Sequence, residues 1–68
     1  MKIINIAMAR AGIETKRDLA KRTGIKYGTL NERFQKPEQL RLFELKAIAD
    51  ETGMPDEDIL QIVKGVKT

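Results

Sequence analysis

The chain has no cysteine and no histidine among its 68 residues. That excludes disulfide staples, thiol nucleophiles and the common zinc sites. The missing thiols fit a reducing cytosol. There is no glycine-rich phosphate loop and no close carboxylate pair in a recognisable pocket. Nothing in the sequence therefore supports catalysis, and neither a metal nor any other cofactor is expected. Long apolar runs are missing too. The N-terminal candidate, Ile3 to Ala9, is interrupted by Asn5 and followed by Arg10, too short to span a bilayer and unlike a signal peptide. A soluble, cytoplasmic protein is expected, with no membrane partner and no small-molecule substrate. Alternating strand patterns are absent, as are repeats, low-complexity tracts and any linker long enough to divide the chain. Residues 1–68 read as one domain. A domain this short buries only about 60% of its unfolded surface, so its core is small.

What the sequence does contain is unevenly placed charge. Residues 16–46 hold nine Lys/Arg against four Asp/Glu, whereas residues 47–68 hold two against five. The net charge of +3 thus hides a basic centre beside an acidic end. One face is suited to a polyanion and another is not. A solvated surface with uneven charge would give the same count, so the pattern within the basic segment must decide.

Five helical segments can be read. The first spans Lys2 to Ala11, with Ile4, Ala7, Met8 and Ala11 at helical spacing and Ile3 beside them. The second spans Lys16 to Arg22. Thr15 is its expected N-cap, with Asp18 in the reciprocal position of a capping box. Leu19 and Ala20 face inward. The third spans Tyr27 to Gln35 and is stopped by Pro37. Its Leu30 and Phe34, four apart, share a buried face, and Tyr27, Gly28, Asn31 and Glu32 fall on the others. The fourth spans Leu42 to Thr52, with a stripe of Leu42, Leu45, Ile48 and Ala49 before Gly53. The fifth spans Asp56 to Lys64. Asp56, Glu57 and Asp58 suit the positive end of a helix dipole and read as a helix start rather than a metal cluster. Ile59, Leu60, Ile62 and Val63 are more apolar residues than one face of so short a helix needs.

Between the second and third helices lies "LAKRTGIKYGTLNERF", Leu19 to Phe34. Two short helices joined through Thr23-Gly24-Ile25 form the core of a helix-turn-helix unit. Glycine permits the backbone conformation that a tight turn needs. Ile25 then plugs the corner between Leu19 and Leu30, and small Ala20 lets the helices approach.

"TKRDLAKRTGIKYGTLNERF" resembles the helix-turn-helix of the Cro and C1 repressor family, also called the XRE family. Thr15, Leu19, Ala20, Gly24, Ile25, Thr29 and Leu30 match its pattern. The continuation, "RFQKPEQLRLFELKAIADETG", is similar to a phage-like branch, with Arg33, Pro37, Glu44 and Leu45 where Arg, Pro and Glu-Leu are usual. The resemblance covers the chain from about Ala11 to Leu60. It implies an all-α fold, a compact five-helix lambda-repressor-like domain with the helix-turn-helix at helices two and three. The function implied is that of a double-stranded DNA-binding transcriptional regulator, usually a homodimer. Two residues depart from the pattern. Lys26 stands where a Ser or Thr cap is usual, and Gly28 stands where Gln, Arg or Ser is common.

The family's docking geometry puts the third helix in the major groove and the N-termini of helices two and three near the backbone. The base-facing positions implied are Tyr27, Gly28, Thr29, Asn31 and Glu32. Asn31 can pair with adenine N6 and N7, Glu32 can accept from cytosine N4, and Tyr27 can pack on a thymine methyl or bond a phosphate. Gly28 either lets the helix backbone sit closer to the bases or only makes room for Tyr27 or a neighbouring helix. Thr29 either touches DNA or back-bonds within its own helix. Lys16, Arg17, Lys26, Gln35 and Lys36 are implied phosphate contacts, with Lys21 and Lys46 behind them. Arg33 either reaches phosphate or pairs with Glu44. The surplus apolar surface of helix five, Ile59, Ile62 and Val63 with Val66 beyond it, suggests a dimer interface. The alternative is that Ile59, Leu60 and Val63 close the core and only Ile62 is exposed. Two rival functions reuse the fold: a protein-interaction module anchored by Tyr27 and Phe43, and the antitoxin half of a toxin–antitoxin pair.

Overall fold

A computed structural model describes residues 2–65. Five α-helices follow in order: α1 (Lys2–Arg10), α2 (Lys16–Thr23), α3 (Tyr27–Gln35), α4 (Leu42–Thr52) and α5 (Asp56–Gly65). A short 3₁₀ turn, Pro37–Gln39, joins α3 to α4. There is no strand among the described residues. The helices fall where the sequence placed them, within one residue at each end. Ala11 lies just past α1, half-buried against the core.

The four most deeply buried large side chains are Ile4, Leu19, Leu30 and Ile48, one from each of α1 to α4. Ala7, Met8, Ala20, Phe34, Leu45, Ala49 and, from α5, Ile62 surround them. Ile13 and Met54, from the loops after α1 and α4, complete the cluster. α2 packs on both α3 and α4, and α1 on α4. The helix-turn-helix is therefore held by α4 through α2, and Tyr27, Gly28 and Glu32 of α3 stay exposed. Burying a Leu or Ile side chain contributes about 1.5–3 kcal/mol, so a few such contacts set the stability of so small a domain.

Local hydrogen bonds fix the bend between α2 and α3. Thr15 Oγ1 accepts from the Asp18 N–H at 3.1 Å and caps α2. The expected reciprocal half of the box is not formed. The Asp18 carboxylate instead accepts from Arg22 Nε at 3.3 Å, one turn along α2, because its side chain is shorter than the usual Glu. At the other end Gly24 adopts φ 76°, the left-handed conformation, and its N–H donates to the Ala20 carbonyl. Thr23 Oγ1 donates to the Leu19 carbonyl at 2.9 Å and accepts the Ile25 N–H at 3.3 Å, clasping the turn. Ile25 is half-buried against the core, as the corner plug should be.

Two positions depart from the expected burial. Leu42, placed in the α4 stripe by spacing, is 81% exposed. At about 100° per residue it lies some 120° round the helix from Ile48, at the edge of the buried arc. The core takes Glu44 and Thr52 instead, each about 40° from Ile48. Both polar groups are satisfied there. Thr52 Oγ1 donates to the Ile48 carbonyl at 2.8 Å, and Glu44 has partners described below. In α5, Ile62 is buried in the chain's own core while Leu60 and Val63 are about half exposed. This corrects the expected dimer face. Ile59 and Ile62, three residues apart, turn inward together, which removes Ile62 from any outer surface and leaves Ile59 half-buried. Val66 lies outside the described residues.

Candidate nucleic-acid interface

α3 is the element on which the site is built. Leu30 and Phe34 anchor it in the core, and Tyr27, Gly28 and Glu32 are exposed on its other side, with Thr29 and Asn31 half-exposed. The helix starts without a side-chain cap, since Lys26 at the N-cap has no acceptor to offer. Gly28 is an ordinary helical residue with no positive φ. Beyond its two chain neighbours and the nearby backbone of α3, a Cβ built there meets no described atom within 4 Å. Gly28 is therefore not making room for a neighbouring helix. The open space faces outward. The Thr29 hydroxyl makes no hydrogen bond among the described residues, so the back-bonding alternative is not realised; Thr23 and Thr52 are the threonines that back-bond.

The cations expected at phosphates divide into three groups. Arg17, Lys26 and Lys36 are exposed, with Gln35, around α3. Arg17 is also positioned: its guanidinium carbon lies 4.3 Å from the centroid of the Tyr27 ring, across the turn. Such a stack is worth about 0.5–1 kcal/mol at an exposed site and fixes both side chains beside the start of α3. A shallow groove lined by Arg17, Lys21, Lys26 and Tyr27 runs over Ala20, Gly24 and Ile25. Lys21, a second-rank candidate from the sequence, lies on this groove beside Arg17 and Lys26.

Lys16 behaves differently. Its Nζ donates to Asn31 Oδ1 at 3.1 Å and sits 5.0 Å above the Phe34 ring. It is a bridge from the start of α2 to the middle of α3 rather than a free cation. The two residues are fifteen apart with no local pattern joining them, so sequence reading had no signal for the link.

Arg33 is the third case. Its Nε donates to Glu44 Oε1 at 3.0 Å, and its side chain is only 13% exposed. Of the two roles open to it, the structure selects the internal pair, and Arg33 is withdrawn from the phosphate contacts. The same Glu44 oxygen accepts the Arg41 N–H at 2.8 Å, so one carboxylate joins α3 to α4 and closes the first turn of α4. No buried side-chain nitrogen or oxygen among the described residues lacks a partner.

The arrangement is a polar, solvent-facing helix with cations at both its ends, presented by a turn that holds it proud of α2. Asp56, Glu57 and Asp58 occupy the first turn of α5. No helix among the described residues is long and apolar enough to cross a membrane. Neither the curated proteins nor the solved structures provide a significant match to the chain. A model of the Cro/C1-type HTH DNA-binding domain does match, over residues 4–65, from the first buried side chain of α1 to the end of α5. The chain therefore belongs to the family of Cro/C1-type helix-turn-helix DNA-binding domains.

Proposed function

We propose that this DNA-binding domain acts as a small transcriptional repressor of the phage or mobile-element type, working in the cytoplasm on a palindromic operator. α3 enters the major groove with Tyr27, Gly28, Thr29, Asn31 and Glu32 toward the bases. Arg17, Lys21 and Lys26 on one side, and Gln35 and Lys36 on the other, hold the phosphates. Occupation of the operator is what blocks transcription. The observation that carries this reading is the outer side of α3: Tyr27, Gly28 and Glu32 are exposed there, no other helix of the described residues comes within 4 Å of a Cβ placed at Gly28, and Arg17, Lys26 and Lys36 flank it.

Titration against random duplex DNA tests it. Binding is expected in dilute salt, because lysine and arginine displace condensed counterions whatever the sequence. With roughly four phosphates neutralised per subunit, log K is expected to fall by about 0.9 per contact for each tenfold rise in salt. Affinity that ignores salt would overturn the phosphate assignments.

Pairing of two copies completes the reading. A two-fold axis sets two recognition helices about 34 Å apart, one turn of the duplex. Leu60 and Val63, 52% and 53% exposed and three residues apart on α5, offer the apolar face, with Ile59 at its edge. Val63→Glu is expected to leave the fold intact and abolish paired binding to a two-half-site duplex. Sedimentation that finds single copies at high concentration, both free and on such a duplex, would sink the dimer.

One observation favours the interaction-module reading: Leu42 and Phe43 are 81% and 64% exposed at the start of α4. Its second anchor, Tyr27, lies beneath Arg17. That reading gives the exposed cations around α3 no task, and the same DNA titration separates the two.

A further inference from the structure

The bridge between Lys16 and Asn31 bears on which base the domain reads. An asparagine amide has two ends, an accepting oxygen and a donating nitrogen. A lysine ammonium only donates. Contact with Lys16 Nζ therefore settles which end of Asn31 faces α2: it is Oδ1, at 3.1 Å. Nδ2 is turned the other way and has no acceptor among the described residues. The lysine is itself held in place, with its ammonium above the Phe34 ring and its Cα on a capped helix start.

The consequence follows from the base edges. Reading adenine needs both ends of the amide, with Oδ1 accepting from N6 and Nδ2 donating to N7. Here Oδ1 already accepts from an ammonium. Its second lone pair remains, but the cation beside it disfavours a donating amino group and favours an accepting oxygen, and the donors of the pair are Nδ2 and the remaining Lys16 N–H groups. The major-groove edge of guanine presents two acceptors, O6 and N7, whereas adenine places a donating amino group where O6 would be. Gly28, three residues before Asn31 on the same side of α3, has no side chain to stand between the amide and the base.

We infer that Lys16 is a positioning residue that orients Asn31, so that the two together read guanine rather than adenine in each half-site. The inference rests on the DNA-reading role proposed above for α3.

Selection from a random duplex pool tests it first. The wild-type domain is expected to recover sites with an invariant guanine in each half-site. Replacing that guanine with adenine, or with 7-deazaguanine, which lacks the N7 acceptor, is expected to weaken binding about tenfold, in line with the discrimination of a two-bond base contact. In Asn31→Ala the 7-deaza penalty should vanish. In Lys16→Met, which keeps the aliphatic stem over Phe34 but frees the amide to turn, the preference should move from guanine toward adenine. A residue serving only stability would change melting and overall affinity without changing the base chosen. Should Lys16→Met not fold, the 7-deaza comparison between the wild type and Asn31→Ala still decides. Recovery of sites with adenine opposite Asn31, or a 7-deaza penalty untouched by Asn31→Ala, overturns the inference alone. Failure of the wild type to bind any duplex in dilute salt overturns the DNA reading beneath it.

Discussion

Replacing Glu44 with alanine is expected to destabilise the domain by about 3 kcal/mol, the scale for removing one partner of a buried charge pair. Three losses coincide. Arg33 is left with a guanidinium that is 13% exposed and has only Glu32, at 3.9 Å, to turn to. The Arg41 N–H loses its acceptor at the start of α4. A nearly buried side chain is cut back to a methyl group. A domain of this length has roughly 3–10 kcal/mol of stability in total. The melting temperature should therefore fall on the order of 15 °C. Glu44→Gln keeps an oxygen for the Arg41 N–H and loses only the charge, so it should cost less than half as much. Arg33→Ala should approach the loss of Glu44→Ala, since it strands a buried carboxylate. Replacing both residues by apolar groups of similar volume should recover much of the loss, because neither charge is then left alone. Thermal unfolding of the four variants checks this. A Glu44→Ala domain that melts within a degree or two of the wild type would show that the pair does not hold α3 to α4. An Arg33→Ala domain that melts normally yet loses DNA would return Arg33 to the phosphates.

The helices and the turn were legible because what specifies them is local. Thr15 caps α2 three residues on and Gly24 closes it four residues back, each by a local hydrogen bond. Burial at the ends of helices was less legible. Apolar spacing assigned Leu42 to the core and left Glu44 out of it, yet Glu44 is buried because Arg33, eleven residues earlier, supplies a partner. Hydropathy has no way to register that a charge is already satisfied. Ile62 was misplaced for a related reason: four apolar residues in a row of five on α5 do not say which pair the core will cover. In the site, the exposed side of α3 was legible as the side away from Leu30 and Phe34. The pairings Lys16–Asn31 and Arg17–Tyr27 were not, since both cross the turn and depend on the angle between two helices. Those pairings change the chemistry of the site. One removes a free cation and orients an amide, and the other stacks an exposed arginine on the residue that opens α3.

Substitutions at Gly28 are expected to move stability and DNA affinity in opposite directions. Glycine in a helix costs up to about 1 kcal/mol relative to alanine, and less near an end such as the second position of α3. Beyond its chain neighbours and the nearby backbone of α3, nothing among the described residues lies within 4 Å of an added Cβ, and the backbone there is one that any residue adopts. Gly28→Ala should therefore raise stability by about 0.5 kcal/mol, or roughly 2–4 °C in melting temperature. If α3 rests its backbone against the bases at this point, the same methyl group must intrude on a fitted contact. Overpacking of that kind costs about 1–3 kcal/mol, so affinity for a selected operator should drop roughly ten- to a hundredfold. Gly28→Leu should bind more weakly still while remaining folded. Binding to random DNA, which rests on the cations, should change far less than operator binding. A Gly28→Ala domain that melts higher and holds its operator as tightly as before would place the backbone of α3 away from the groove floor. The bare position would then be a stability defect with no counterpart in recognition, and the base contacts would have to come from Tyr27, Asn31 and Glu32 reaching across a gap.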